Sequence, residues 1–343
     1  MADITVMGAG IFGLSIAWYC QSKGALVRVI DPGGPGAGAS GGIVGALAPH
    51  VPENWNDKKA FQFDSLMMAE GFWREVEAVS GIDAGYGRLG RLQPLADDRA
   101  ITLAQARATT AKELWQGQAQ WSVVEAQAYP WAPITPTGLL IHDTLSARVH
   151  PRRACASLAA GIVARAGEVL REGAQQGRVI WATGVAGLDE LTAQHSRQVG
   201  NGVKGQGALL QFEAHDLAQL FADGVHIVPH GDGTVAIGST SERDYDSATQ
   251  TDEQLDRVIE KAMQAVPLLH GARIIERWAG LRPRSKSRAP MLGAHPVHKG
   301  AYIANGGFKI GFGMAPKVGQ VMADLILDGI DAIPAGFRPE VSY

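Results

Sequence analysis

The chain has 343 residues, of which 46% are hydrophobic and 19% charged, with a formal net charge of −3 at pH 7. This length allows one large domain or two, and the apolar content is high enough to exclude intrinsic disorder. The slightly acidic balance gives no general attraction to polyanions, so we expect no nucleic-acid partner. Its two cysteines, Cys20 and Cys155, both fall in predicted helices and are interpreted as free thiols of a cytoplasmic protein.

The first segment is an uncharged apolar run from Ile4 to Cys20. A signal peptide needs basic residues ahead of such a run, whereas here Asp3 precedes it, and its glycines make it a poor membrane span. No other segment is as apolar, so no transmembrane segment is expected.

The same run reads as a βαβ unit. Asp3 to Met7 is predicted to be a strand, Ile11 to Lys23 a helix ended by Gly24, and Ala25 to Ile30 a second strand. The turn between the first strand and the helix carries Gly8, Gly10 and Gly13, and Asp31 ends the second strand. This pattern is typical of a dinucleotide site, although a glycine-rich turn without a ligand is the alternative.

Each residue of the pattern has a physical reason. Gly8 permits a tight turn, Gly10 lets the backbone approach a pyrophosphate, and Gly13 lets the helix pack on the strand. The helix N-terminus then faces the phosphates. Asp31 can accept hydrogen bonds from ribose hydroxyls, and its charge disfavours the 2′-phosphate of NADP.

The residues after Asp31 favour FAD over NAD. NAD-binding domains usually continue into another crossover helix, whereas Pro32 to His50 reads as a long glycine-rich loop. Such a loop can follow an extended FAD molecule, with Ser40 near phosphate and Gly45 to Leu47 beside the flavin. A flexible linker is the alternative, but linkers rarely contain Ile43 and Val44.

Two later segments are predicted to reach the same ligand. Val179 to Ala182 is a predicted buried strand that ends in Thr183-Gly184. Ala301 to Asn305 is another strand, followed by glycines and by a predicted helix from Pro316 to Leu327 with proline near its first position. The parts in between, 86–145 and 201–282, show alternating strand patterns that predict a mixed sheet.

Together these segments resemble the D-amino acid oxidase superfamily of FAD enzymes, and within it most closely the glycine oxidases. The resemblance runs nearly end to end, and its most specific part is Trp278 to Pro283 followed by Asn305 to Pro316. It implies an α/β fold with a discontinuous Rossmann-type FAD-binding domain (1–85, 146–200 and 283–343). A mixed or antiparallel sheet would form the substrate domain (86–145 and 201–282).

The fingerprint, the loop and the resemblance predict one set of FAD contacts. They are Gly8, Gly10, Ile11, Phe12, Gly13, Asp31, Pro32, Ala39, Ser40, Val44, Gly45, Ala46, Leu47, Thr183, Gly184, Gly307, Phe308, Lys309, Ile310, Gly311, Phe312 and Gly313. The stretch before Thr183 is shorter than in the family, which leaves Ala174 as the predicted adenine contact. No cysteine lies near Gly280 to Gly313, so the FAD is expected to be non-covalent.

An amino acid substrate needs a partner for its carboxylate, and a guanidinium provides two parallel hydrogen bonds. Arg282 matches the family's carboxylate-binding arginine in Gly-Leu-Arg-Pro; a structural ion pair is the alternative. Lys309 matches a second basic residue near the substrate, with simple solvent exposure as its alternative. His50 and His226 are candidates for tuning the protonation of the substrate amine, against the alternative that each is an ordinary satisfied polar residue.

The expected function is an FAD-dependent amine or amino acid oxidase or dehydrogenase. It would oxidise a small amino or imino acid by hydride transfer to flavin N5, and the imine would hydrolyse. Two alternatives stay open: demodification of a carboxymethylaminomethyl base in tRNA, and a flavin-binding subunit of a multi-chain amine dehydrogenase. The electron acceptor, oxygen or a quinone, and a possible homo-oligomer stay open as well, and no ligand spacing for a metal is present.

Overall fold

The computed structural model describes all 343 residues. The helices are α1 (Ile11–Ser22), α2 (Asp57–Ser80), α3 (Asp98–Leu114), α4 (Pro151–Ala164), α5 (Gly184–Gln194), α6 (Glu253–Ala265) and α7 (Gly311–Ala323). The strands are β1 (Ile4–Met7), β2 (Val27–Ile30), β3 (Ala46–Leu47), β4 (Arg91–Pro94), β5 (Trp121–Glu125), β6 (Leu139–Asp143), β7 (Ala147–Arg148), β8 (Glu168–Leu170), β9 (Arg178–Trp181), β10 (Gly200–Gln211), β11 (Gln219–Ala222), β12 (Val225–Pro229), β13 (Thr234–Gly238), β14 (Arg273–Ser285), β15 (Met291–Ala294) and β16 (Tyr302–Asn305).

The first sheet has six strands in the order β15-β16-β9-β1-β2-β8. All neighbours are parallel except β15, which runs antiparallel to β16. Val6 of the central strand pairs with Val29 on one side and Ile180 on the other, and these apolar residues suit a strand covered on both faces. The carboxyl ends of β1, β9 and β16 therefore meet at one edge, where open α/β sheets bind ligands.

The predicted first helix is present as α1. It starts at Ile11 after Gly10 and ends at Ser22, and Gly24 has a φ of +89° just beyond it. Its exposed fraction is close to zero over most of its length because α1 packs against α4, α7 and the sheet. An apolar, uncharged helix is what this central position requires.

The second sheet has eight strands in the order β14-β10-β13-β12-β11-β4-β6-β5. It is antiparallel except where β11 pairs with β4, so it is the mixed sheet predicted for the segments 86–145 and 201–282. The long strands β10 and β14 pair along their whole length, and β14 is the edge strand. This pairing carries Arg282 from the second sheet towards the ligand edge of the first.

Helix α7 differs from its prediction. It was expected to start near Pro316, but it starts at Gly311, and Pro316 lies inside it. Two glycines in the first three positions hide the start, because glycine has low helix propensity. Packing against α1 and α2 supplies the missing stability: a Cβ on Gly319 would lie 2.7 Å from the Ser15 carbonyl oxygen, so the two helices touch backbone to backbone. The helix N-terminus thereby reaches the ligand edge.

None of the helices combines the length and the apolar character that crossing a membrane requires.

Candidate active site

A cavity of about 1040 Å³ lies where the ligand edge of the first sheet faces the second sheet. It is lined by the β1–α1 turn, the loop after β2, the β9–α5 turn, residues of β12 and β14, and the β16–α7 turn. Its size is at the upper end of the range for small-molecule sites. An elongated ligand in contact with both sheets fits this shape.

The glycines of the β1–α1 turn are required by close backbone contacts. Gly8 has a φ of +108°, and a Cβ on it would lie 2.4 Å from the Ala182 carbonyl oxygen. A Cβ on Gly13 would lie 2.0 Å from the Gly8 carbonyl oxygen. Atoms that are not bonded to each other do not come this close, so a side chain at either position must displace α1 or the turn. Gly10 lines the cavity itself.

The N-terminus of α1, whose amides can bind an anion, lies beside the carboxylate of Asp31 at the end of β2. The amide of Ile11 donates to Ser40 Oγ at 3.0 Å, and no other side chain caps the helix. Asp31 accepts from the Ala9 amide at 2.8 Å and from the Gly33 amide at 2.9 Å, which fixes its carboxylate in the lining. A phosphate suits the first position and a ribose hydroxyl the second.

The loop after Asp31 is fastened along its length. The Gly36 amide donates to the Ala9 carbonyl at 2.9 Å, and Ala46–Leu47 forms strand β3 with β7. Gly45 has a φ of +68°, and a Cβ on it would lie 1.8 Å from the Val149 carbonyl oxygen. These contacts are those of an ordered ligand-binding loop rather than a linker.

Most of the predicted contacts line this cavity. They are Gly8, Gly10, Ile11, Phe12, Asp31, Pro32, Ala39, Ser40, Val44, Gly45, Ala46, Thr183, Gly184, Gly307, Phe308, Lys309, Gly311 and Phe312. Four others, Gly13, Leu47, Ile310 and Gly313, are not part of the lining, although each is next to a lining residue in the chain.

The structure does not bring Ala174 to the cavity. Strand β8 ends at Leu170 on the outer edge of the first sheet, and Ala174 is exposed beyond it. Its carbonyl accepts from Arg28 Nη1 at 3.0 Å, which holds the segment on that edge. The segment nevertheless leaves β8 beside the cavity, because the Asp31 amide donates to the Leu170 carbonyl at 2.9 Å, and the adenine contact at Ala174 stays a prediction.

Arg282 lines the cavity from β14. Its guanidinium donates to Ser239 Oγ at 2.6 Å and to the Thr240 carbonyl at 3.2 Å. Both oxygens are neutral and no carboxylate lies within ion-pair distance, so Arg282 does not form the structural ion pair that was the alternative. A Cβ on Gly205 would lie 1.9 Å from the guanidinium, so this glycine provides its space. Burial lowers the pKa of Arg282 to about 10, against the opposing effect of Glu242, and the side chain stays charged at neutral pH.

A buried polar network holds the segment that supports Arg282. The Thr240 hydroxyl donates to the Glu242 carboxylate, and Gln206 Nε2 donates to the same carboxylate at 3.0 Å. Lys204 Nζ donates to Asp252 at 2.9 Å on the same side of β10. Sequence analysis missed this network and Ser239, because only the pairing of β10 with β14 and β13 brings them to Arg282.

His226 lines the cavity from β12, with its ring centroid 4.6 Å from that of Phe221. Its Nδ1 is buried and has no hydrogen-bond partner. Burial, together with Arg91, Lys309 and Arg282, lowers the pKa of His226 to about 3, so the ring is neutral at physiological pH. A neutral imidazole with a free ring nitrogen can exchange a hydrogen bond with a ligand.

Lys309 also lines the cavity, with its Nζ 5.7 Å from the Phe308 ring centroid. Its side chain is exposed at the rim, yet partial burial and the neighbouring Arg282 and Arg284 lower its pKa. Lys309 is thus a cation in the cavity lining and is exposed to solvent at the same time, so the two alternatives do not exclude each other.

His50 does not line the cavity. Its Nδ1 lies 2.5 Å from Gln62 Oε1, which also accepts from the His50 amide at 2.8 Å. Gln62 in turn donates to the Ala48 carbonyl at 3.1 Å. Helix α2 thus fixes the end of the loop through His50, because a buried glutamine needs all of these partners.

His230 supports the loop from the second sheet and makes stability depend on pH. It is 1% exposed, its Nε2 donates to the Ile43 carbonyl at 2.9 Å, and its Nδ1 has no partner. Burial lowers its pKa to about 4, with His150 and Arg148 acting in the same direction and Asp232 against it. In the unfolded chain, His230 therefore binds a proton below about pH 6.5, whereas in the folded chain it stays neutral down to about pH 4.

We expect the free energy of unfolding to fall by about 2 kcal/mol between pH 7 and pH 5 because of this residue. In His230→Gln, whose side-chain amide can still donate to the Ile43 carbonyl, this part of the loss of stability at low pH should disappear. Urea unfolding at both pH values measures it, with the exposed His270→Gln as control. An equal acid loss in the wild type and in His230→Gln contradicts the assignment.

Comparison with known proteins places this geometry in context. A family model described as FAD dependent oxidoreductase matches residues 3–325. The glycine oxidase of Pseudomonas putida is 29% identical over 378 residues, covering 98% of both chains. The structure of glycine oxidase from Geobacillus kaustophilus matches with a TM-score of 0.82 at 20% identity, covering 98% of both chains. That of iminodiacetate oxidase from Chelativorans sp. BNC1 matches with a TM-score of 0.81 at 22% identity and the same coverage. The structural matches confirm the predicted fold class.

Proposed function

Because the chain belongs to this family of FAD-dependent oxidoreductases, we propose that it oxidises a small amino or imino acid held by Arg282. The resemblance noted in the sequence and FAD as the cofactor are both confirmed, and the protein is an FAD-dependent amine or amino acid oxidoreductase similar to glycine oxidases. The observation that carries the substrate proposal is a buried, charged guanidinium in the cavity lining whose only protein partners are neutral oxygens.

The cavity residues fit FAD. The N-terminus of α1 and Ser40 suit the pyrophosphate, Asp31 suits the adenosine ribose, and the loop 42–46 with the β16–α7 turn suits the ring. When bound, FAD supplies the two-electron acceptor for the hydride of the substrate carbon. Cys20 and Cys155 are buried and absent from the lining, which supports non-covalent binding.

Arg282, His226 and Lys309, which line the cavity away from the N-terminus of α1, each contact or influence a different part of the substrate. Arg282 binds the carboxylate and orients the α-carbon. His226, which lines the cavity as a neutral ring, exchanges a hydrogen bond with the amine. Arg282 and Lys309 together favour the neutral amine, because a third positive charge beside them is disfavoured. A neutral amine releases hydride more readily. The nitrogen loses its proton to water, and the resulting imine is hydrolysed.

Anaerobic mixing of the purified FAD protein with small amino and imino acids tests this function. We expect at least one amino or imino acid to abolish the yellow flavin absorbance, while the matching amine without a carboxylate does so far more slowly. A flavin that no amine or amino acid reduces contradicts the proposal and favours a role as a subunit of a larger dehydrogenase.

The pH dependence of this reaction separates the substrate amine from His226. Because His226 is neutral above about pH 4, kcat/KM should rise with pH as the substrate amine loses its proton, and His226 should contribute no ionisation to that rise. In His226→Gln, kcat/KM falls by about tenfold, the value of one hydrogen bond, and its apparent pKa stays the same. Steady-state or anaerobic kinetics from pH 6 to 10 measure both. An acid limb that vanishes in the variant contradicts a neutral His226.

A further inference from the structure

Further cations lie next to Arg282: Lys309 lines the cavity as well, while Arg284 lies just outside the lining. Arg284 follows Arg282 by two residues on β14, so both side chains leave the same face of the strand. The Arg284 guanidinium lies 5.3 Å from the Phe308 ring centroid, and Lys309 Nζ lies 5.7 Å from the same ring. Phe308 lines the cavity. Arg243 and Arg288 lie near Arg284, outside the cavity lining. We call Arg243, Arg284, Arg288 and Lys309 the cationic rim.

The cationic rim has no compensating acid. No carboxylate lies within ion-pair distance of its four members, whereas Arg91 pairs with Asp143. The cavity lining contains one acidic residue, Asp31, which is held at the α1 end by the Ala9 and Gly33 amides.

The members of the rim also oppose one another. Partial burial, Arg288 and Arg243 lower the pKa of Arg284, while partial burial, Arg282 and Arg284 lower that of Lys309. Neighbouring cations that repel each other cost free energy unless a ligand neutralises them. The chain as a whole has a net charge of −3, so this concentration of positive charge is local.

Resting on the proposed function, we propose that the substrate is a dicarboxylic amino or imino acid. Arg282 binds the carboxylate next to the oxidised carbon, and the cationic rim, chiefly Arg284 with Lys309, binds the second one. Two residues of an extended strand span about 7 Å, a separation that two flexible basic side chains and a short dicarboxylic acid can bridge. A polynucleotide fits less well, since RNA and DNA binding usually relies on more phosphate contacts over a wider surface.

The experiment compares iminodiacetate with N-methylglycine, which has the same secondary amine but lacks the second carboxylate. Anaerobic flavin reduction in the FAD-loaded protein gives kcat/KM for each. We expect iminodiacetate to be favoured by about tenfold or more, the effect of one charge-assisted hydrogen bond, and the preference to shrink as salt is added.

Two variants locate the preference. In Arg284→Gln the ratio of the two kcat/KM values should fall towards one, mainly through the KM for iminodiacetate. In the control Arg273→Gln, at the other, exposed end of β14, the ratio should stay at its wild-type value. Flavin content and thermal unfolding of both variants confirm that each is folded.

The outcomes separate the two proposals. If both compounds reduce the flavin equally well, or if Arg284→Gln keeps the preference, the dicarboxylic substrate is overturned while amino acid oxidation stands. If no amino or imino acid reduces the flavin, the proposed function fails and this inference with it. Salt-dependent binding of tRNA that Arg284→Gln abolishes, without any preference between the small compounds, also overturns the inference.

Discussion

Replacing Arg282 by methionine should lower kcat/KM for carboxylate substrates by about 10²- to 10³-fold while FAD stays bound. The guanidinium can donate two charge-assisted hydrogen bonds to the substrate, each worth about 1.5–3 kcal/mol. Methionine keeps most of the volume but none of the charge, so the effect should appear mainly in KM. Flavin content, measured by absorbance after purification, stays at one per chain because Arg282 is not among the predicted FAD contacts.

Two further variants test whether the position of the guanidinium matters as well as its charge. Arg282→Lys keeps a cation but not the planar pair of donors, and should lie between the wild type and Arg282→Met. Gly205→Ala keeps Arg282 but places a methyl group within 2 Å of its present position, and should resemble Arg282→Met. Unchanged kinetics in all three variants would remove Arg282 from the substrate site.

The second large effect is expected at Gly13, where alanine should give a protein that is purified with little or no flavin. The new Cβ would lie 2.0 Å from the Gly8 carbonyl oxygen, so α1 must move away from the turn. Forced overpacking of this kind costs about 1–3 kcal/mol, which corresponds to a roughly 10- to 100-fold weaker affinity for FAD when the cost falls on the bound state. Titration of the apo protein with FAD, followed by fluorescence, measures the affinity.

Gly71→Ala is the matched control. Gly71 is also a helical glycine, but it lies on the exposed face of α2, and a Cβ there would meet nothing within 4 Å. Alanine at this position should bind FAD normally and stabilise the helix by up to about 1 kcal/mol. If Gly13→Ala binds FAD as tightly as Gly71→Ala, close packing of α1 on the turn is not what shapes the site.

The βαβ unit was predictable to within a few residues because its signals are local. Gly8, the apolar run of α1 and Gly24 each act on their immediate neighbours in the chain, so the strand, helix and turn can be located without knowledge of the fold. The strands of the second sheet lie mainly in the segments where alternating patterns predicted a mixed sheet, since strand alternation is likewise a local pattern.

The start of α7 and the course of residues 171–177 were not predictable in this way. Gly311 and Gly313 disfavour a helix on their own, and only contact with α1 and α2 makes one there. Ala174 was predicted to contact the adenine because the stretch before Thr183 is shorter than in the family, and the structure places it outside the cavity lining, with its carbonyl accepting from Arg28. Helix propensity and motif matching contain no information about such distant partners.

The dinucleotide-binding turn, the preference for FAD and the candidate carboxylate-binding residue Arg282 could all be derived from the amino-acid sequence. The surroundings of that arginine follow only from the packed sheets: Gly205 gives it space, Ser239 and Thr240 accept its hydrogen bonds, and Arg284 and Lys309 add positive charge nearby. A turn or a cap depends on residues a few positions apart, whereas the field and shape of a cavity are set by strands and loops that meet only after the two sheets have packed together.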